Sequence, residues 1–125
     1  MNNLIIEGTK STPSINFDYN TGHLSIAGES FPENFSLFYE VIINWLDKYI
    51  SESKPIQFDF RFVYFNTSSS KAILDIIEKL DNYHKSGGDV VLNWYYEIDD
   101  EDIYESGLEF TENLTLKCDL IEYNG

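Results

Sequence analysis

A strand–helix–strand pattern in the middle of the chain constrains the fold more than any other feature. From Ile56 to Phe65, large apolar residues alternate with polar ones, which is the period of a β-strand. A helical pattern follows to about Lys85, and Val90–Tyr96 is a second apolar strand. A helix of this length crosses back over a sheet, so we expect parallel strands joined by a right-handed crossover. Because Val63 and Phe65 make both faces apolar, we expect the end of the first strand to be buried on both sides.

The residues before this unit predict a hairpin and a helix. Alternating runs at Ile15–Tyr19 and Leu24–Ile26 flank Asn20-Thr21-Gly22, which is typical of a β-hairpin with glycine in the left-handed position. Ser30 could cap the next helix as part of a capping box, and Asn34 could cap it equally well. The apolar stripe of this helix follows spacings of three and four and contains Phe38, Val41, Ile42, Trp45, Leu46 and Tyr49.

The two ends of the chain add further strands and a third helix. Leu4–Glu7 is a short strand candidate, acidic residues open a weaker helix over Asp99–Glu112, and Leu114–Tyr123 is a last strand. We therefore predict one α/β (α+β) domain spanning residues 1–125. Its architecture is a mixed β-sheet with helices packed on it, an N-terminal β-hairpin and a central βαβ crossover.

The charge of the chain excludes several classes of partner. The 125 residues are 42% hydrophobic, which suffices for a core, and the formal net charge is −14. A surface this acidic repels nucleic-acid phosphates and anionic lipids, so we expect neither a nucleic-acid nor a membrane partner. The N-terminus has no signal-peptide pattern, and no stretch approaches the roughly 20 apolar residues of a membrane span. We expect a cytoplasmic protein.

The residue types that usually perform catalysis are scattered along the chain. His23 follows the hairpin turn and His84 lies near a helix end, and neither neighbours a nucleophile motif. Cys118, the one cysteine, lies in a strand-like run without a nearby base. The acidic run Asp99–Asp102 is typical of a helix start and does not match a calcium-binding loop. We therefore predict a protein that is not an enzyme, with no catalytic residues, cofactor or metal.

The strongest candidate site is the polar segment that joins the central strand to its helix. Asn66, Thr67, Ser68, Ser69 and Ser70 follow the apolar strand directly. In open α/β sheets this edge presents functional groups, and a helix N-terminus offers free N–H donors and partial positive charge to an anion. A phosphate on Thr67 would therefore be compatible with the fold. Plain helix capping also explains the segment, because Asn, Ser and Thr are preferred caps.

Several motifs in the right order resemble one known family over nearly the whole chain. These motifs are Gly8-Thr9-Lys10-Ser11-Thr12-Pro13, Gly28-Glu29-Ser30-Phe31-Pro32-Glu33-Asn34, Tyr64-Phe65-Asn66-Thr67-Ser68-Ser69, Lys71-Ala72-Ile73-Leu74-Asp75-Ile76, and Gly87 followed by Val91-Leu92-Asn93-Trp94-Tyr95-Tyr96. The chain resembles the SiaC family of bacterial regulatory phosphoproteins, formerly a domain of unknown function. Ser70 departs from the larger apolar residue expected there.

The resemblance implies a STAS-like fold and a partner-switching function. In such proteins a cognate protein kinase phosphorylates one threonine and a PP2C-type phosphatase removes the phosphate. The unphosphorylated form binds and activates a diguanylate cyclase, which raises cyclic di-GMP. Carried onto this chain, the resemblance makes Thr67 the phosphorylated residue and Asn66, Ser68 and Ser69 the surrounding motif.

Two other functions remain open at this stage. A STAS-like antagonist of an anti-sigma factor would use the same switch residue. A small-molecule-binding domain or enzyme would instead use the aromatic region Trp94, Tyr95 and Tyr96, although sheet core explains these three residues more simply.

Overall fold

A computed structural model describes residues 1–125 as a six-stranded sheet with three helices. The strands lie side by side in chain order, from β1 at one edge to β6 at the other. The elements are β1 (Leu4–Ile6), β2 (Ser14–Phe17), β3 (His23–Ser30), α1 (Phe35–Ser51), β4 (Ile56–Phe65), α2 (Thr67–Lys85), β5 (Val90–Glu97), α3 (Glu101–Thr111) and β6 (Cys118–Tyr123). No helix combines the length and the apolar character needed to cross a membrane.

Two kinds of strand pairing make the sheet mixed. β1, β2 and β3 pair antiparallel, whereas β3, β4, β5 and β6 pair parallel. The predicted hairpin and the predicted βαβ crossover are both confirmed. Gly22 in the hairpin turn has a φ of 74°, and a Cβ there would collide with the backbone carbonyl of Pro55. The turn therefore requires glycine for both its conformation and its space.

The helices cover one face of the sheet and leave the other face open. Along β4, Phe58, Phe60 and Phe62 are buried, whereas Gln57 and Arg61 between them are exposed. Each parallel connection moves one strand further in the same direction, and right-handed crossovers then place every helix on the same side. The core is consequently one apolar layer between the sheet and the three helices.

The buried face of α1 differs from the predicted stripe. Ile42, Leu46 and Tyr49 are buried as predicted, but Tyr39 is also buried and Val41 is 50% exposed. Tyr39 can be buried because its hydroxyl is hydrogen-bonded to the buried hydroxyl of Ser30. A buried tyrosine hydroxyl needs such a partner, and a hydrophobicity pattern does not reveal which residue supplies it.

The start of α1 settles the choice between its two predicted caps. Asn34 is the N-cap, since its side-chain oxygen accepts the N–H of Leu37 at 3.2 Å. The alternative capping box at Ser30 is wrong, because Ser30 is the last residue of β3 and pairs with Phe65 of β4.

The end of β4 was predicted to be buried on both faces, and this is wrong: Val63 lies on the same open face as Gln57 and Arg61, and a β-bulge follows in the pairing with β3. Gly28 lies opposite Phe62 and Glu29 lies opposite Tyr64, so Val63 is the extra residue. Val63 and Tyr64 are 45% and 49% exposed. Bulges re-aim side chains and are enriched beside functional sites. Here the bulge breaks the alternation, so Tyr64 is exposed while Phe65 still packs against Phe62 and Trp94.

The last strand begins at Cys118, four residues later than the predicted start at Leu114. The intervening segment is held by a buried carboxylate from α2 instead of by a neighbouring strand. Asp81 accepts hydrogen bonds from the backbone N–H groups of Thr115 and Leu116, at 3.1 and 2.9 Å, and from the Thr115 hydroxyl at 2.9 Å. Hydrogen bonds to a charged acceptor are among the strongest in proteins, so this contact fastens β6 to the helix layer.

The contacts of Asp81 lower its pKa. Burial alone raises the pKa of this carboxyl, but the Leu116 N–H, the Thr115 hydroxyl and the Lys85 ammonium favour the charged form and outweigh burial. The pKa therefore lies below its ordinary value of 3.8. A lowered folded-state pKa means that the stabilisation is fully present above the unfolded-state value and is lost as the pH falls through the folded-state value.

We predict that Asp81→Asn lowers the free energy of unfolding by about 1.5–3 kcal/mol at neutral pH, because a charged acceptor of several buried hydrogen bonds is lost. Urea denaturation measures the effect, and the exposed Asp75→Asn on the same helix is the matched control. The difference between wild type and Asp81→Asn should shrink as the pH falls below about 3.8. A difference that stays constant from neutral pH to pH about 2 would contradict this role.

Candidate phosphorylation site at the N-terminus of α2

Thr67 is the first residue of α2 and its side chain is exposed. The residue before it, Asn66, is the N-cap and accepts the N–H of Ser69 on its side-chain oxygen at 2.9 Å. The cap is therefore supplied by Asn66, and the Thr67 hydroxyl is not needed to hold the helix end. Helix capping is thus performed by Asn66, and it does not account for the hydroxyl of Thr67.

The three serines after Thr67 have different environments. Ser68 is exposed, Ser69 is 0% exposed, and the Ser70 hydroxyl donates to the backbone carbonyl of Thr67 at 2.7 Å. The hydroxyls of Thr67 and Ser68 are therefore accessible from solvent, while Ser69 lies in the core. The structure brings the four predicted motif residues together on one helical turn but gives Ser69 a packing role.

A buried chain of hydroxyl groups holds this turn against the sheet. The Ser30 hydroxyl is hydrogen-bonded to Ser69 at 2.7 Å and to Tyr39 at 2.6 Å, and the three residues are 0–2% exposed. Burial raises the pKa of the Tyr39 phenol, against the smaller opposing effect of the two serine hydroxyls. The sequence pattern does not indicate this network, because Ser30 also fits a capping box and its hydroxyl partner Ser69 is 39 residues away.

Backbone hydrogen bonds join three distant segments at the same edge of the sheet. The N–H of Asn66 donates to the carbonyl of Ser30 at 3.0 Å, and the N–H of Phe31 donates to the carbonyl of Ser11 at 2.7 Å. The segment 28–34 is therefore bound on one side to segment 8–13 and on the other to segment 64–69, which contains Thr67. These are three of the motifs on which the resemblance to a known family rests.

The electrostatic environment of Thr67 can accommodate a phosphate. The first turn of α2 carries no acidic residue, and Lys71 is exposed one turn into the helix. Free N–H groups at a helix N-terminus stabilise an exposed anion by roughly 0.3–1 kcal/mol. A phosphate on Thr67 would therefore be compatible with the helix.

The residues considered for catalysis lie apart from this site. His23 is 2.6 Å from Asp59 on the open face of the sheet, and His84 lies in the last turn of α2. Burial, with a smaller contribution from Asp119, raises the pKa of the Cys118 thiol to about 12, so the thiol stays protonated at neutral pH. No group of three or more His, Cys, Asp or Glu side chains is arranged to hold a metal ion.

The aromatic region considered for small-molecule binding is mostly core. Trp94 is 1% exposed, and its indole N–H donates to the carbonyl of Ile103 at 2.9 Å. Tyr95 lies 4.5 Å from the Arg61 guanidinium on the open face, while Tyr96 packs against Tyr104 on the helix side. The three side chains thus face different surroundings and do not converge on one pocket.

Comparison with known proteins agrees with this geometry. A family model described as SiaC family regulatory phosphoprotein matches residues 6–123. An uncharacterized protein of Pseudomonas aeruginosa (strain UCBPP-PA14) is 39% identical over 114 residues, which are 90% of each chain.

Two solved structures from Pseudomonas aeruginosa share the fold. The crystal structure of apo-SiaC matches with a TM-score of 0.90 and 36% identity, covering 97% of this chain and 99% of that one. A chain in the crystal structure of the diguanylate cyclase SiaD in complex with its activator SiaC matches with a TM-score of 0.92 and 36% identity, covering 96% and 99%. On both the family model and these likenesses, the chain belongs to the SiaC family of regulatory phosphoproteins.

Proposed function

We propose that this chain is a non-enzymatic partner switch in which reversible phosphorylation of Thr67 controls binding to, and activation of, a diguanylate cyclase. The observation that carries the proposal is an exposed hydroxyl at the start of α2, on a turn that Asn66 and Ser69 fix independently of it. The cyclase partner is supported by the solved complex, in which a SiaC protein is the activator of a diguanylate cyclase.

The proposed mechanism is desolvation of the phosphate at the partner contact. Unmodified Thr67 and Ser68 are neutral groups that lose little on leaving water. A phosphate adds about −1.5 to −2 charges, and burying an ion without a partner costs several kcal/mol. Lys71 and the helix N-terminus offset part of that cost only when the phosphate stays exposed. Phosphorylation therefore leaves the fold intact and disfavours the complex.

The switch requires two further proteins. A cognate kinase adds the phosphate to Thr67, and a PP2C-type phosphatase removes it. The kinase and the cyclase both consume nucleoside triphosphates, so the proposed cycle operates in the cytoplasm. Its output is the rate of cyclic di-GMP synthesis, and the chain itself performs no covalent step.

We predict that Thr67→Ala binds the cyclase as tightly as unmodified wild type, whereas Thr67→Glu binds about 5–150-fold more weakly, the range of a typical regulatory coupling. Isothermal titration calorimetry measures both affinities.

Ser51→Glu is the matched control and should bind like wild type. It adds the same charge at the C-terminal end of α1, whereas Thr67 lies at the N-terminal end of α2. Since Asn66 supplies the cap, Thr67→Ala should change the free energy of unfolding by less than about 0.5 kcal/mol. Equal affinities for all variants would refute the switch.

We also predict which hydroxyl receives the phosphate. After incubation with the cognate kinase and ATP, peptide mass spectrometry should locate the phosphate on Thr67, and Thr67→Ala should stay unmodified while Thr67→Ser is modified. Ser69 should stay unmodified because it is 0% exposed and hydrogen-bonded to Ser30. Phosphate on Ser69 of the folded protein, or undiminished phosphorylation of Thr67→Ala, would show that the assignment is wrong.

A further inference from the structure

Two aromatic side chains are exposed together beside the proposed switch. Phe31 is 39% exposed and Tyr64 is 49% exposed, and their rings pack edge to face with centroids 5.9 Å apart. Edge-to-face pairs are favourable, but each of these rings still leaves a large area in water. An exposed aromatic pair is the composition that the centres of protein interfaces favour.

The fold holds this pair in place at its edge. The bulge at Val63 makes Tyr64 the partner of Glu29, and Gly28 accommodates the bend with a φ of 112°. Phe31 follows the last residue of β3, and its N–H is bound to the carbonyl of Ser11 at 2.7 Å. Because both backbones are fixed by strand pairing or hydrogen bonds, the pair is a preorganised surface.

The pair adjoins Thr67 through short backbone connections. Tyr64 precedes Thr67 by three residues, and Phe31 follows Ser30, whose carbonyl accepts the N–H of Asn66. A phosphate on Thr67 would therefore lie next to the aromatic pair, inside the uncharged segment that contains Tyr64. The same short connections allow one partner segment to contact both features.

The charge pattern around the pair is unusual for this chain. The net charge of the protein is −14, yet the eight residues from Val63 to Ser70 carry no charge, and neither do Phe31 and Pro32. The charges near this neutral centre along the chain include the exposed carboxylates of Glu29 and Glu33, on either side of the Phe31 segment, and the exposed ammonium of Lys71 after Ser70. The neutral centre can be desolvated at low cost, and the two carboxylates form an acidic rim beside Phe31 that matches basic groups on an apolar ligand.

We propose that Phe31, Tyr64 and Thr67 form the docking patch for the activated cyclase, and that its occupant is a cyclase segment with an apolar face flanked by Lys or Arg. The patch deepens the proposed function and rests on it. The aromatic rings bind the apolar face, and the acidic rim attracts the basic flanks. A phosphate on Thr67 would have to enter the neutral centre of this contact, where it would lose its water.

Surface plasmon resonance measures the association and dissociation rates of the cyclase with unphosphorylated Phe31→Ala and Tyr64→Ala. Each should weaken binding about 10–100-fold, chiefly through faster dissociation, because buried aromatic anchors act as hot spots. Val91→Ala is the control, since Val91 is 46% exposed at the start of β5, at the opposite end of the sheet. Its affinity should stay within about twofold of wild type, and circular dichroism should show all variants folded.

Two charge-reversal variants test whether the acidic rim contributes to cyclase binding. Glu33→Lys should slow association several-fold at low salt, whereas Glu112→Lys, the same change at the far end of α3, should have little effect. Hydrogen exchange on the wild-type protein supplies a readout that needs no variant. The amides of Phe31, Glu33 and residues 63–68 should exchange more slowly in the cyclase complex than in the free protein.

The possible failures are distinguishable. If Thr67→Glu weakens binding while Phe31→Ala and Tyr64→Ala bind like wild type, the patch is wrong and the switch stands. If the aromatic variants abolish a concentration-dependent self-association and leave cyclase binding unchanged, the patch joins two copies of this chain and the proposal is overturned. If no variant alters cyclase binding, the proposed function itself fails.

Discussion

The hydrogen bonds between the end of β3 and the first turn of α2 determine how this protein presents its surface. Ser30 contributes both its carbonyl, which accepts the N–H of Asn66, and its hydroxyl, which is bound to Ser69 and Tyr39. One residue thereby joins β3, α1 and α2 at a single point. With Ser69 directed inward, Thr67 and Ser68, the two residues before it, are left exposed. The exposure of the proposed switch is thus a consequence of core packing.

The layered architecture places the proposed switch at the carboxyl ends of the parallel strands. Three helices cover one face of the sheet, and the carboxyl ends of the parallel strands lie together at one end of the sheet. Helix N-termini follow these strand ends, so an anion there is stabilised without any rearrangement of the core. The bulge at Val63 adds exposed aromatic area to this end of the sheet. A rigid support with a chemically adjustable surface is well suited to a binding switch and needs no large conformational change.

The features predictable from sequence were those with a local periodicity. The alternation from Ile56 to Phe65 gave β4, and the polar segment after it gave the start of α2 and the candidate Thr67. Features set by distant partners were not predictable. The register that makes Val63 a bulge depends on Gly28, and the buried role of Ser30 depends on a hydroxyl 39 residues away. The attachment of the β6 segment to Asp81 is likewise long-range and left no periodic signal.

In the proposed switch, a phosphate on Thr67 separates the chain from a diguanylate cyclase without disturbing the fold. Cyclase activity measured at increasing concentrations of unphosphorylated protein and of protein fully phosphorylated on Thr67, with stoichiometry verified by intact mass, tests this most directly. We expect the phosphorylated form to need at least about fivefold more protein to reach half-maximal cyclic di-GMP synthesis, with an unchanged circular dichroism spectrum. Equal activation by the two forms would show that Thr67 is not the switch.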